Sequence, residues 1–225
     1  MNGQTVAAYF LQSDEDFFCD EHAPLCVTKT LGVPYLPEGK ALPLDRNGEP
    51  MMLLFQMNFE EFPPLPGFPE TGMMQIFTAN EFFETDEYGP DTVCVRFYDS
   101  VDYDCEEPEG GFFTDEDNPF GLGECRYDGS GATLTWHGTP MSMPLGTSEF
   151  RGIIVGGTMS TYTLYADSWE FLEYHNGQRF PLLRISSSEQ RYNETRTSYF
   201  FLVDEQEFAE RKINRVTVLV EPDEE

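Results

Sequence analysis

Basic residues are scarce in this sequence. Lys and Arg together number 13 against 41 Asp and Glu, and the formal net charge is -28 at pH 7. Such a charge repels nucleic-acid phosphates, so we expect no nucleic-acid binding. It also keeps copies of the chain apart and attracts basic molecules. The charge therefore predicts a monomer whose protein partners are basic.

Long hydrophobic runs are missing as well. No stretch reaches the about 18 consecutive apolar residues of a membrane-spanning helix, so we expect no membrane partner. The opening residues, MNGQTVAAYFLQSDEDFF, have no basic segment before an apolar run, and we predict no signal peptide. The five cysteines are odd in number and irregularly spaced. We therefore expect reduced thiols and a cytoplasmic location.

Recognisable catalytic motifs are absent. The sequence has three histidines, no G-x-S-x-G nucleophile motif, no phosphate-binding loop and no G-x-G-x-x-G. The Gly-Ser-Gly at 129–131 is typical of a turn. We therefore expect no catalytic residues, no cofactor and no enzymatic activity, although an uncharacterised hydrolase remains an alternative because acidic side chains are so abundant.

Two patterns resemble metal sites. Cys19, His22 and Cys26 supply three soft ligands, but structural zinc sites usually have paired C-x-x-C knuckles, which are missing here. We expect neither zinc nor a disulfide at these residues. An EF-hand starting at Asp102 would need Gly at its sixth position and Glu at its twelfth, where the chain has Glu107 and Phe113.

Aromatic and β-branched residues are plentiful. Twenty Phe and eleven Tyr in a chain that is 40% apolar predict a packed core. Alternating or continuous apolar segments predict strands, and a turn at Asp128-Gly129 predicts a further hairpin. One helix, EQEFAERK (205–212), is expected after a cap at Asp204, with NEFFETD (80–86) as its counterpart. The predicted strands cover 51–59, 73–79, 92–99, 150–157, 181–186, 197–203 and 215–221.

A pattern of strands recurs along the chain. MLLFQMN, QIFTANEF and VCVRF are matched in order by PLLRISS, FLVDEQEF and VTVLV. We interpret this as an internal duplication of about 32–99 and 156–221 around an acidic insert at about 100–150. The fold class predicted is mainly β with few short helices, as two pseudo-repeated β units packed as one body in a single domain, 1–225. Residues 51–99 and 181–221 are expected to superpose.

Proline-rich segments separate the first strands. The loop at 32–50 is too rich in proline for a helix or a central strand, and Asn47-Gly48 predicts a turn that closes it. The acidic, proline-dense residues 60–71 are predicted to form a solvated link between two core strands. Gln56 and Asn58 lie on one face of the first of these strands. As buried amides they must be hydrogen-bonded, either to the loop backbone or to a ligand.

The segment from Thr28 to Phe77 resembles the YwqG-like family, a bacterial domain of unknown function. The shared pattern is a Lys-x-x-Gly-x-Pro-Tyr-x-Pro loop, a strand ending Gln-x-Asn, a proline-rich link and a Gly-x-x-Gln-x-Phe strand. The second half departs from the family pattern, because RISSS (184–188) stands where the family has an acidic strand. The matching residues are Lys29, Gly32, Pro34, Tyr35, Pro37, Gly48, Pro50, Gln56, Asn58, Phe68, Pro69, Gly72, Gln75 and Phe77.

The resemblance implies the mainly β fold described above. Some members of the family are associated with bacterial toxin immunity. We therefore expect a cytosolic protein-binding module, of the immunity type that neutralises a basic bacterial effector. A small-molecule or cation-binding module is the alternative. The candidate cleft residues are Gln56, Asn58 and Tyr35. The candidate partner surface in the acidic tract 81–128 consists of Asp115, Glu116, Asp117, Phe112, Phe113 and Phe120.

Overall fold

The structure, a computed structural model, consists mainly of β-strands with few short helices, which confirms that part of the predicted fold class. It describes residues 8–13, 24–65, 67–79, 82, 89–106, 131–136, 153–156, 179–186 and 196–223. The strands are β1 (Ala8–Ser13), β2 (Lys29–Leu31), β3 (Met52–Asn58), β4 (Met73–Thr78), β5 (Val93–Tyr98), β6 (Gly131–Trp136), β7 (Ile153–Gly156), β8 (Arg179–Ser186), β9 (Arg196–Asp204) and β10 (Thr217–Asp223). A 3₁₀ turn covers Phe59–Glu61, and helix α1 covers Glu205–Ala209. No helix in these ranges is long and apolar enough to cross a membrane.

The chain divides into two compact units. Unit A consists of residues 13–64 and 69–135, and unit B consists of residues 1–12, 65–68 and 136–225. Each unit therefore takes its residues from more than one part of the sequence.

Unit A contains an antiparallel sheet in the order β6-β2-β3-β4-β5. Every residue of β3 and β4 is buried, as the nearly continuous apolar sequence of β3 predicts. The short β2 is not predicted from sequence, because three residues give no periodicity to read.

Unit B contains an antiparallel sheet in the order β10-β9-β8-β7-β1. Helix α1 follows β9, and Asp204 caps it as predicted, since its Oδ1 accepts from the backbone N of Gln206 and Glu207 at 2.9 and 3.1 Å. The helix ends earlier than the predicted 212. Arg211 has a left-handed φ of 55°, and the backbone N of Lys212 donates back to the Glu207 carbonyl at 2.9 Å, which terminates the helix as a Schellman motif does.

The two sheets share a detailed feature. In β3 the pairing to β4 shifts between Leu53 and Phe55, and in β8 the pairing to β9 shifts between Pro181 and Leu183. A β-bulge thus lies at the same place in two three-stranded meanders, β3-β4-β5 and β8-β9-β10. These pairings are consistent with the predicted repeat.

Two strand pairings join parts of the chain that are distant in sequence. Strand β1, the first described, pairs with β7 in unit B, whereas β6 pairs back with β2 in unit A. Thus β1 precedes all of unit A in sequence but completes the sheet of unit B. None of the strands predicted from the sequence covers β1, and no sequence pattern indicates this pairing.

The proline-dense link is not wholly solvated, so that prediction is wrong for two of its residues. Leu65 and Phe68 are 2% and 8% exposed and belong to unit B. The ring of Phe68 lies 5.4 Å from that of Phe180 and 4.9 Å from that of Phe208. Prolines prevent the link from forming a strand, but burial of its large apolar side chains still lowers the free energy.

The loop before β3 has the predicted turn. The backbone N of Gly48 donates to the Asp45 carbonyl at 3.1 Å, and Gly48 has a φ of +80° that favours glycine. Leu44 and Pro50 then form an isolated β-bridge. The predicted hairpin turn at Asp128-Gly129 and most of NEFFETD lie outside the described residues.

Candidate functional site

Gln56, at the centre of β3, uses both ends of its buried amide to hold the chain. Its Oε1 accepts from the backbone N of Tyr35 at 2.9 Å and from Gln75 Nε2 at 2.7 Å. Its Nε2 donates to the carbonyls of Leu25 and Val27 at 2.7 and 2.8 Å. The side chain therefore joins two loops and the neighbouring strand β4.

Asn58 extends this network at the end of β3. Its Nδ2 donates to the Cys26 carbonyl at 2.8 Å and to the Tyr103 hydroxyl at 3.1 Å. Its Oδ1 accepts from the backbone N of Glu60 at 3.1 Å and so caps the 3₁₀ turn. Asn58 is buried and fixes the segment that carries Cys26.

Tyr35 closes the network from the proline loop. Its carbonyl accepts from Gln75 Nε2 at 2.8 Å, and its hydroxyl accepts from the backbone N of Asp102 at 2.9 Å. Burial raises the pKa of the hydroxyl above its ordinary value. The structure thus brings together all three residues of the predicted cleft, Gln56, Asn58 and Tyr35, and these hydrogen bonds join them to other parts of the chain.

Gln75 is the member of this network that sequence reasoning did not single out. It lies on β4 opposite Gln56 in the strand register, and both side chains are fully buried. A glutamine inside an otherwise apolar strand was the available signal, because a buried amide requires partners.

In the described part of unit B, the positions equivalent to Gln56 and Gln75 carry different side chains. By strand register, Arg184 and Phe200 occupy the positions that Gln56 and Gln75 hold in unit A. Arg184 Nη2 donates to Ser198 Oγ at 3.2 Å, and the guanidinium lies 5.5 Å from the centroid of the Phe200 ring. The two meanders therefore share a backbone arrangement but differ in chemistry.

A surface groove of about 830 Å³ lies beside the network in unit A. Its apolar lining includes Leu36, Leu42 and Leu44, and Leu44 is 58% exposed. The residues that line the groove are Leu36, Pro37, Glu38, Gly39, Lys40, Ala41, Leu42, Leu44, Pro50, Asp102, Asp104, Cys105 and Glu106. An apolar surface with a polar rim is typical of a protein-binding site.

The charge of the groove is mostly negative. Four carboxylates, those of Glu38, Asp102, Asp104 and Glu106, line it with one cation, Lys40. Asp102 Oδ1 accepts from the backbone N of Asp104 at 3.0 Å, and the Asp102 backbone N donates to Tyr35. The acidic wall is therefore held in place by the buried network.

Arg96 supports the loop that carries the apolar residues of the groove. Its Nη1 donates to the Ala41 carbonyl. Leu42 packs against the buried cluster of Met51, Leu53 and Phe77. Both walls of the groove are thus anchored to the sheet of unit A.

A smaller pocket of about 440 Å³ shares Cys105 with the groove. It is lined by Pro24, Leu25, Cys26, Val27, Asn58, Glu60, Glu61, Tyr103 and Cys105. Burial, together with the hydrogen bond to Cys105, raises the pKa of the Cys26 thiol to about 12. Cys26 is therefore a neutral thiol at physiological pH and a weak nucleophile.

The remaining predicted residues fall elsewhere. Asp115, Glu116, Asp117, Phe112, Phe113 and Phe120 lie outside the described residues, as do Cys19 and His22. Within the part of the chain that is described, no three His, Cys, Asp or Glu side chains are grouped so that they could hold a metal ion.

Comparison with known proteins gives a family and no activity. No curated protein matches the chain. One family model matches residues 28–214, which include Tyr35, Gln56, Asn58 and Gln75, the larger groove and the first meander, β3-β4-β5. The chain belongs to the family described as a domain of unknown function, DUF1963.

Proposed function

We propose that this chain is a non-enzymatic binding module whose groove accepts a basic, partly apolar segment of a protein partner. The observation that carries the proposal is the combination of an exposed apolar lining, including Leu44, with the carboxylates of Glu38, Asp102, Asp104 and Glu106. The occupant that complements both features is a peptide segment with Lys or Arg beside large apolar side chains.

The two features make different contributions to binding. Leu36, Leu42 and Leu44 offer apolar surface to an anchor residue, and such anchors carry most of the binding energy at protein interfaces. The carboxylates attract a basic partner and reject an acidic one, which raises the association rate and the specificity. At physiological ionic strength charges are screened over about 8 Å, so the apolar anchor is essential.

The wider setting follows from the sequence. We propose that the chain is YwqG-like, acts as a monomer in the bacterial cytoplasm, and neutralises a basic effector in the manner of an immunity protein. The net charge of -28 supports a basic partner, because it favours encounter with positively charged surfaces.

Peptide selection tests the proposed occupant directly. A phage library of random peptides is selected on the immobilised full chain at low salt, and enriched peptides are measured by fluorescence anisotropy. We expect enrichment of peptides that combine Lys or Arg with Leu, Phe or Trp. Leu44→Ser should weaken their binding by about tenfold, the effect of losing roughly 1.4 kcal/mol of anchor energy.

Charge variants separate the electrostatic contribution to the association rate from the apolar contribution to the affinity. The double change Asp104→Asn and Glu106→Gln should lower the association rate and its salt dependence more than it raises the dissociation rate. Matched controls are Glu70→Gln, an exposed carboxylate outside the groove, and Val220→Ser, an exposed apolar residue of unit B. Enrichment of neutral or acidic peptides, no enrichment, or equal effects of groove and control changes would contradict the proposal.

A further inference from the structure

Two cysteines that are distant in sequence lie side by side in unit A. The Sγ atoms of Cys26 and Cys105 are 3.8 Å apart, although 79 positions separate the residues along the chain. Both are free and half-buried, and together they line the smaller pocket. Cys94, the other free cysteine in the described ranges, lies on β5 opposite Phe77 in the strand register.

The backbone on the Cys26 side is held firmly. Gln56 Nε2 donates to the carbonyls of Leu25 and Val27, on either side of Cys26, and Asn58 Nδ2 donates to the carbonyl of Cys26 itself at 2.8 Å. The next residue, Thr28, donates its backbone N to Glu61 Oε2 at 2.7 Å. Consecutive residues of this segment are thus tied to β3 and to the 3₁₀ turn.

The Cys105 side is held by the same network. The backbone N of Cys105 donates to the Asp102 carbonyl at 3.3 Å, and the backbone N of Asp102 donates to the Tyr35 hydroxyl at 2.9 Å. The Tyr103 hydroxyl accepts from Asn58 Nδ2, which also binds the Cys26 carbonyl. One side chain, Asn58, therefore contacts both cysteine-bearing segments, and the thiols meet because buried amides position their backbones.

We propose that Cys26 and Cys105 form a redox-active dithiol site, which a peroxide or a low-molecular-weight disulfide converts to an intramolecular disulfide. The sulfur atoms must approach from 3.8 Å to a bond length of about 2.05 Å. The inference is independent of the partner proposed for the groove.

One peroxide molecule is a sufficient oxidant for the pair of thiols. The Cys105 thiol loses its proton to solvent, and the thiolate attacks one peroxide oxygen. The O–O bond breaks and Cys105 becomes a sulfenic acid, while the departing hydroxide takes up a proton and leaves as water. The Cys26 sulfur then attacks the Cys105 sulfur, its proton is transferred to the departing hydroxyl, and a second water is released. Two thiols are oxidised to one disulfide, and one peroxide is reduced to two waters.

The environment assigns the roles of the two sulfurs. Burial and the Cys105 contact raise the pKa of the Cys26 thiol to about 12, which makes Cys26 a poor first nucleophile, and in the proposed reaction the first attack therefore comes from Cys105. Cys26 is the resolving thiol, already within contact distance of the sulfur that it must attack. Its high pKa also predicts slow closure that accelerates as the pH rises.

Mass mapping of the oxidised full chain tests the site. The protein is treated with hydrogen peroxide, and in parallel with glutathione disulfide, then alkylated and digested without reduction. We expect a peptide that links Cys26 to Cys105, reversed by dithiothreitol. Cys26→Ser and Cys105→Ser should each abolish this peptide, whereas Cys94→Ser should leave it unchanged.

Phenylarsine oxide supplies a second measurement that needs no oxidant. This reagent binds two neighbouring thiols, so one equivalent should protect both Cys26 and Cys105 from alkylation in the wild type. In each of the two Ser variants, the remaining cysteine of the pair should not be protected. Three results would overturn the proposal: linkage of either cysteine to a different residue, irreversible oxidation without linkage, or failure of the two oxidants and of phenylarsine oxide to react with the pair.

Discussion

Gln56 is the residue that contributes most to the order of unit A around the groove. It bonds both ends of its amide in a fully buried position, to groups from the 24–28 segment, the proline loop and β4. Buried amide networks of this kind specify one arrangement of the chain, because any other arrangement leaves polar groups unpaired. Gln56 therefore links the proline loop to the cysteine-bearing segment through one buried side chain.

Replacement of Gln56 should be strongly destabilising. Gln56→Leu leaves the Tyr35 N–H and the carbonyls of Leu25 and Val27 without this partner, and each unsatisfied buried group costs about 1–3 kcal/mol. We expect the free energy of unfolding to fall by about 3 kcal/mol or more, with faster hydrogen exchange at the Tyr35 amide. Chemical denaturation and exchange measured by mass spectrometry read out both effects.

The matched control for this change is Gln206→Leu. Gln206 is exposed on α1, where its Nε2 donates to Glu210 Oε1 at 2.8 Å, so its replacement should change the stability by less than about 0.5 kcal/mol. Equal effects of the two substitutions would show that the buried network contributes little.

At the scale of elements, the two meanders share strand order, direction and bulge position while their side chains differ. Phe55 opposite Ile76 in unit A corresponds to Leu183 opposite Phe201 in unit B. Apolar pairs occupy both positions, whereas the amide pair of unit A is replaced by Arg184 and Phe200. The backbone pattern is thus retained where packing requires it. The superposition of residues 51–99 on residues 181–221 stays a prediction.

Helix α1 and the turn after it form a local acid-sensitive element. Glu207 accepts from the side-chain Nδ2 and the backbone N of Asn214, at 2.7 and 2.9 Å, and these bonds hold the pKa of Glu207 below its ordinary value. A carboxylate with a lowered folded-state pKa stabilises the protein above its ordinary pKa. That contribution is lost as the pH falls through the lowered value.

Asn214→Ala tests this linkage. We expect the free energy of unfolding near neutral pH to fall by about 0.5–1 kcal/mol, because one hydrogen bond to a charged group on a half-exposed surface is lost. The difference from wild type should shrink as the pH falls through the lowered pKa of Glu207. Urea denaturation across an acidic pH series measures it.

The control repeats Asn214→Ala in a Glu207→Gln background. The substitution should then have an effect that does not vary with pH in this range, since the titrating group is gone. A pH-dependent effect that persists in this background, or an effect in the wild-type background that does not change with pH, would assign the acid sensitivity to other carboxylates.

For the whole molecule, charge is the dominant property. With 41 acidic and 13 basic residues, the folded chain concentrates negative charge that the unfolded chain spreads out. The resulting self-repulsion opposes folding, and dissolved salt screens it. The Debye length shortens from about 30 Å at 0.01 M to about 8 Å at 0.15 M ionic strength.

Moderate salt should therefore stabilise the protein. We expect sodium chloride to raise Tm by about 2–4 °C between these ionic strengths, the shift that roughly 1 kcal/mol produces in a chain of this size. Differential scanning calorimetry provides the measurement, and potassium chloride should act equally. Sucrose at matched osmolality is the control and should have a smaller effect. A Tm that falls with salt would mean that favourable ion pairs outweigh the repulsion.

Several features could be predicted from the sequence because they arise from local chemistry. Apolar runs and alternation predicted the core strands from 51 to 99 and from 181 to 221, and Asp204 predicted the start of α1. Asn47-Gly48 predicted the turn before β3. Each of these depends on residues within a few positions of one another, so a short stretch of sequence contains the necessary information.

Other features were decided by the tertiary structure, because they depend on groups that are distant along the chain. The pairings of β1 with β7 and of β2 with β6, and the burial of Leu65 and Phe68, follow from which surfaces were available to cover. The groove combines residues 36–50 with 102–106, and the thiol pair joins Cys26 to Cys105. No periodicity or spacing in the sequence encodes these long-range contacts, because side-chain packing and buried hydrogen bonds select them when the chain folds.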